Sequence, residues 1–227
     1  QHSRACCNII KKGQAAYNLN GRPRTHIHAC ALYQRREYIA MDRVRGDSAH
    51  PSTLIVPYRT LVVLCGPAGS GKSTFAQQIV TRHKHKDFQN TMIVSSDACR
   101  ALISDNEANQ QVNRDTFDLF YYIIGKRMYQ NRFTIADSTA LQPDARQRLL
   151  DLAERHHYHK HLFIFNMSFE TCMQRDQQRK RKVGEQVIVY HGGLLKQALL
   201  DIPGEKWDGI SLLDEQNMGA DVEIVLK

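Results

Sequence analysis

The stretch GPAGSGKS, Gly66 to Ser73, decides how the rest of this chain is read. It follows the apolar run TLVVLC, Thr60 to Cys65, and opens a helical segment, Ser73 to Val80. That order of strand, glycine loop and helix is the setting of a phosphate-binding P-loop. Glycines at 66, 69 and 71 let the backbone bend until its N–H groups surround phosphate oxygens, and the helix behind them adds the favourable end of its dipole. Pro67, Ala68, Ser70 and Thr74 complete the cradle. Lys72 is placed to reach the β and γ phosphates of a nucleoside triphosphate, and the Ser73 hydroxyl to coordinate Mg²⁺. At ordinary Gly, Lys and Ser/Thr usage, such a match arises by chance in a chain of this length with odds of roughly 1%. An ordinary glycine turn is the weaker reading.

From about Thr60 onward, short apolar runs alternate with helix-like segments, the pattern of an α/β chain with a parallel sheet. TLVVLC, Met92 to Ser95, Phe133 to Ala136 and Leu162 to Phe165 read as buried parallel strands. Phe117, Phe120, Tyr121, Ile124 and Met128 recur at helical spacing within Asp115 to Gln130, and a further helix starts near Pro143. The C-terminal DVEIVLK supplies a candidate last strand.

The chain has 227 residues, 42% apolar and 24% charged, which suits a globular protein and excludes a wholly disordered or collagenous one. No apolar run, Leu61 to Cys65 included, approaches the roughly 20 residues that cross a bilayer. The first residues lack the features of a secretory signal, although a start at Gln1 hints at a fragment or processed end. Six cysteines with no C-x-x-C fit free thiols in a reducing interior, so the expected location is cytoplasmic, with no membrane partner. Residues 1–58 hold nine Lys or Arg against three Asp or Glu, most of the formal net charge of +8. The expected organisation is a basic N-terminal extension, 1–58, and a P-loop domain, 59–227. Clustered positive charge favours polyanions such as nucleic acid, and it also suits a solvated tail. Cys6, Cys7, His26, His28 and Cys30 match no zinc spacing. The run RHHYHKH, Arg155 to His161, reads as histidines at a helix end, away from the expected crevice.

A P-loop alone does not separate a GTPase, a motor ATPase and a kinase. No N/T-K-x-D motif reads a guanine base here, and Ile135-Ala136 leads only to Asp137 and Ser138, without the adjacent acids usual in motor or AAA-type ATPases. VSSDACR puts Asp97 just beyond the second strand, where the ligand crevice of an open α/β sheet lies. A carboxylate there orients a substrate hydroxyl for in-line attack on the γ phosphorus of ATP and takes up its proton. The competing role for Asp97 is a helix N-cap. Arg100, one turn on, is placed to grip a substrate phosphate. Arg175 and Arg179, four apart in the helical segment after the fourth strand, are expected on one face, closing over ATP, with Arg181 following between Lys180 and Lys182. A solvated charged helix is the alternative. Asp137 is expected in the cavity with the metal, or as an N-cap.

GPAGSGKSTFA, VSSDACRALISDNEANQ, IADSTALQPDARQRLLDLAERH and the R-x-x-x-R of the fourth helix resemble the 5′-OH polynucleotide kinase module of bacterial RNA-repair polynucleotide kinase-phosphatases, over roughly Leu61 to Ile188. The resemblance implies an adenylate-kinase-like fold, a five-stranded parallel sheet flanked by helices. It implies Asp97 as general base on the 5′ hydroxyl, Arg100 on the acceptor's phosphate, Lys72 and Ser73 on phosphate and Mg²⁺, and Arg175 and Arg179 on ATP. Past Ile188 that family commonly continues as a basic helix, whereas Val189 to Gly193 is neutral to weakly basic and predicted to interrupt a helix. The phosphatase and nucleotidyl-transfer modules have no counterpart here, so the expected chemistry is the kinase step alone.

The primary expectation is therefore ATP-dependent phosphorylation of a 5′-OH RNA or DNA end. The alternative is a small-molecule phosphotransferase resembling zeta-toxin or chloramphenicol-phosphotransferase relatives, which suits the modest charge of residues 59–227, 22 basic against 20 acidic. A third class, a non-catalytic nucleic-acid binder, sits poorly with the complete set of Lys72, Ser73 and Asp97.

Overall fold

The computed structural model describes residues 53–83, 88–216, 218 and 223–226. Six consecutive apolar or small residues leave neither strand face fit for water, and Thr60–Cys65 accordingly forms a central strand whose every residue is buried. In chain order the elements are β1 (Thr53–Val56), β2 (Thr60–Cys65), α1 (Lys72–Arg82), β3 (Ile93–Ser95), α2 (Ser96–Ser104), α3 (Asn113–Tyr129), β4 (Thr134–Asp137), α4 (Pro143–Arg155), β5 (His159–Phe165), α5 (Phe169–Gln177), α6 (Glu185–Asp201), β6 (Gly209–Leu213) and β7 (Glu223–Leu226). Five strands pair in the order β3-β4-β2-β5-β6, all parallel.

Alternation of side chains splits β2 between two cores. Val62 and Leu64 pack with Phe75 and Ile79 of α1 and with Phe163 and Phe165. Leu61, Val63 and Cys65 pack on the opposite face with Phe120 and Ile124 of α3, Leu149 of α4 and Leu195 of α6. Helices therefore cover both faces, as the expected fold class requires. The register sets Leu64 and Ser95 each beside Asp137, so the carboxyl ends of β2, β3 and β4 finish at one level.

Several details differ from the sequence reading. The fifth strand of the main sheet is Gly209–Leu213, while Glu223–Leu226 pairs in parallel with β1 in a separate two-stranded sheet. GISLL was hard to read because it is an edge strand, fully buried only at Leu213, and starts at a glycine. That glycine is required, since a Cβ at Gly209 would collide with the His161 ring. Helix α6 runs unbroken through Gly192 and Gly193, although each glycine costs about 1 kcal/mol relative to alanine in a helix. Burial of Ile188, Leu195 and Ala198 on both sides of the pair holds it together. The two glycines border a cavity of about 540 Å³ against Pro67, Phe169 and Val189. Helix α5 ends at Gln177, short of Arg179, so the expectation that Arg175 and Arg179 share a helix face is not met. The buried Asp176 stops the helix by accepting the N–H groups of Val183 and Gly184, both at 3.1 Å, which folds residues 178–184 back as a loop.

Of the expected extension 1–58, residues 1–52 with Cys6, Cys7, His26, His28 and Cys30 lie outside the described residues. Among the described residues, no helix is long and apolar enough to cross a membrane.

Candidate active site

The loop Gly66 to Gly71 leaves the end of β2 and is tied to the end of β4, because Gly66 N–H donates to the Thr139 carbonyl at 2.9 Å. Two of its glycines are dictated by geometry. Gly69 has φ +80° and a Cβ there would meet the Cys172 carbonyl; Gly71 has φ +97° and its Cβ would meet Met218. Gly71 is also the N-cap of α1, and no side chain caps the first turn, so the amides of that turn are left to an external acceptor. Lys72 is buried at 8% exposure, its ammonium donating to the Gly66 and Pro67 carbonyls at 2.9 and 2.7 Å and to Ser70 Oγ at 3.4 Å. Burial pulls its pKa below the usual lysine value, against the opposing attraction of Asp137.

Asp137, at the end of β4, is 6% exposed. Burial raises its pKa; a hydrogen bond from the Ser73 hydroxyl and the charges of Lys72 and Arg179 act the other way, while Asp97 adds to the rise. Those causes define the cluster: Ser73, Lys72, Asp97 and Arg179 all act on one carboxylate. A hydroxyl and a carboxylate side by side at the mouth of a phosphate loop are hard oxygen ligands and fit a Mg²⁺ ion.

Asp97 is not the cap of α2. That role falls to Ser95, whose Oγ accepts from Ala98 N–H, which leaves the Asp97 carboxylate for other work. The Asp97 side chain is 55% exposed and lies between two arginines, with Oδ1 at 2.5 Å from Arg100 Nη1 and Oδ2 at 3.7 Å from Arg181 Nη1. Arg100 is buried and also donates to the Glu107 carbonyl at 3.3 Å and to Asn113 Oδ1 at 3.1 Å, while its Nε has no partner. Arg181 reaches Glu107 Oε1 at 3.4 Å as well, so the loop after α5 is tied to the segment after α2.

The structure therefore gathers Lys72, Ser73, Asp97, Asp137 and Arg179. Arg175 donates from Nη1 to the Ser70 carbonyl at 3.0 Å, beside Met218 Sδ. Arg100 turns toward Asp97. Three participants escaped the sequence reading: Arg181 as a partner of Asp97, Met218 over Gly71, and His191 of α6, whose Nδ1 accepts the Ala68 N–H at 3.2 Å. The only sequence signal for Arg181 was its place in a basic run, and for His191 none.

No curated protein matches the chain. Among solved structures, it is similar to a chain of the Pnkp1/Rnl/Hen1 RNA repair complex, at 16% identity over 69% of this chain and 48% of that one, with a TM-score of 0.53. It spans about half the length of that relative. It is similar also to a chain of the AvrRxo1-ORF1:AvrRxo1-ORF2 complex determined with ATP, at 15% identity over 77% and 57%, TM-score 0.50. Kti12 of Chaetomium thermophilum in complex with ADP-AlF3 matches at 17% identity over 71% and 92%, TM-score 0.49. At these identities the shared property is the fold. A family model described as an AAA domain, AAA_33, matches residues 61–191. The sequence reading had set AAA-type ATPases lower for want of adjacent acids, and β4 does end in the single acid Asp137 before Ser138. The match covers more than half of the chain, which therefore belongs to this AAA domain family and carries a P-loop on a five-stranded parallel sheet flanked by helices.

Proposed function

We propose that this protein is an ATP-dependent kinase of an alcohol, and that the alcohol is the 5′-hydroxyl end of an RNA or DNA strand. The observation that carries the reading is the half-exposed Asp97 carboxylate at the crevice, close enough to Asp137 for its charge to act on that buried carboxylate. Lys72 and the uncapped first turn of α1 bind the phosphates of ATP, with Gly66 to Thr74 as cradle. Ser73 and Asp137 would hold Mg²⁺, which would offset the charge that develops in transfer. The acceptor hydroxyl hydrogen-bonds to Asp97, and its oxygen attacks the γ phosphorus as the bond to the bridging β–γ oxygen breaks. ADP leaves with that electron pair, and the hydroxyl proton passes to Asp97. Arg179 adds positive charge beside Lys72 at the transferring group. Arg175 braces the loop through the Ser70 carbonyl. Arg100 orients Asp97, and it contacts an acceptor phosphate by exchanging its bond to Asn113 or to the Glu107 carbonyl.

A nucleic-acid acceptor draws on the resemblance of the Asp97 to Gln110 segment and on the RNA repair complex among the fold relatives. A small-molecule acceptor is favoured by one observation, the near balance of 22 basic and 20 acidic residues in 59–227. Incubation with Mg²⁺ and γ-labelled ATP against 5′-OH and 5′-phosphate RNA and DNA, nucleosides and sugars decides between them. Label on the 5′-OH strands alone supports the proposal; label only on a small molecule overturns the acceptor, and label on nothing overturns the kinase.

A further inference from the structure

Helix α6 delivers an imidazole to the phosphate loop. His191 is half-buried and accepts the Ala68 N–H through Nδ1 at 3.2 Å. A nitrogen that accepts carries no proton, so the neutral ring holds its proton on Nε2. Burial, and after it the charge of Lys72, lowers the His191 pKa and keeps the ring neutral near pH 7. Among the described residues Nε2 has no hydrogen-bond partner, although the backbone fixes its proton there. The Lys72 ammonium sits under the carbonyls of Gly66 and Pro67, next to the residue that His191 holds. Gly192 and Gly193 follow in the helix and line a cavity that Pro67 of the loop also borders.

We propose that His191 is a catalytic residue that donates its Nε2–H to the γ-phosphoryl group of bound ATP, in concert with Lys72. Ala68 N–H sets the tautomer, and α6 thereby supplies a neutral donor beside Ala68 of the loop. The proposal rests on the ATP-binding reading and not on the identity of the acceptor.

Three variants separate this role from simple bracing of the loop. His191→Asn keeps an acceptor at the Nδ1 position and takes the donor away from the Nε2 position; His191→Gln restores a donor near the Nε2 position; His191→Phe removes both. Binding of ATP and of ADP is measured by calorimetry on each full-length variant, with thermal midpoints as a check on folding. The expected result is that His191→Asn binds ADP within twofold of wild type and ATP about tenfold or more weakly, the size of a lost hydrogen bond to a charged group. His191→Gln recovers most of the ATP affinity. Unchanged ATP binding in His191→Asn, or equal weakening of ATP and ADP, overturns the proposal. A wild-type protein that binds no ATP overturns the functional reading and this proposal together, so the two failures are distinguishable.

Discussion

Arg146 of α4 is the largest fully buried side chain, and its removal tests whether the loop after β4 is held from beneath. Its Nε donates to both Glu205 carboxylate oxygens at 2.8 and 3.0 Å, and its Nη2 lies 2.7 Å from Glu205 Oε1. Its Nη1 donates to the carbonyls of Ala140 and Leu141 at 3.1 and 2.8 Å. Those carbonyls belong to the segment between Asp137 and α4 whose Thr139 receives the first amide of the phosphate loop. Arg146→Met leaves a mostly buried carboxylate and two carbonyls without their donor, a loss of about 3–5 kcal/mol for one partner of a buried pair. At about 2–4 °C per kcal/mol for a domain of this size, the thermal midpoint falls by roughly 10 °C. Trp207 is the sole tryptophan and donates to Glu205 Oε2 at 2.7 Å, so its fluorescence reports on this cluster directly during melting. Arg146→Met combined with Glu205→Leu removes both charges and recovers most of the loss, because apolar replacement of a whole buried pair is often neutral. A single variant that melts within about 2 °C of wild type, less than 1 kcal/mol, refutes the reasoning, as does a double variant no more stable than the single one.

Asp97→Asn keeps the shape and removes the proton acceptor; turnover falls roughly 10²- to 10⁴-fold while ATP affinity stays within about twofold, measured by transfer of labelled phosphate and by calorimetry. Asp176→Ala frees residues 178–184, with the loss of two hydrogen bonds of about 1.5–3 kcal/mol each, so trypsin cuts faster at the exposed Lys180 and Lys182 and turnover drops with it; an unchanged digestion rate defeats this. Burial, with a smaller push from His159, takes the His161 pKa down to about 4. The folded state thus prefers the neutral ring, and the unfolded chain binds a proton first, below its ordinary 6.5. This contribution to stability is complete above that value and is lost as pH falls toward about 4, on the order of 3 kcal/mol in all. Urea midpoints at pH 7 and near pH 4.5 should differ more for wild type than for His161→Gln, and equal losses in both would sink the linkage.

The phosphate loop, the four buried strands and the long helices were legible because each depends on local pattern: glycines where φ must be positive, unbroken apolar runs between two layers, and helical spacing against a sheet. The places of Asp97 and Asp137 were legible for a related reason, since the residues at and just past the carboxyl ends of neighbouring parallel strands lie along one edge of the sheet. What stayed hidden depends on distant partners. Nothing local in GISLL announces an edge strand whose glycine accommodates the His161 ring, and nothing near Gly192 announces that Ile188 and Leu195 anchor the helix on both sides. The spacing of Arg175 and Arg179 suggested one face of one helix, but a buried Asp176 ends the helix between them, with Arg175 on it against the Ser70 carbonyl and Arg179 past its end.

The sheet order has a consequence for engineering. Lys72 follows the middle strand and Asp97 the border strand β3, and the chain leaves for that border and comes back in a single excursion, residues 93–133, entered beside Met92 and left at β4. Under the proposed function the acceptor-side residues Asp97 and Arg100 travel in this one cassette, together with Glu107 and Asn113, which hold Arg100. On that reading, swapping it for the matching piece of a kinase with this fold would exchange the acceptor and leave the triphosphate-binding half untouched.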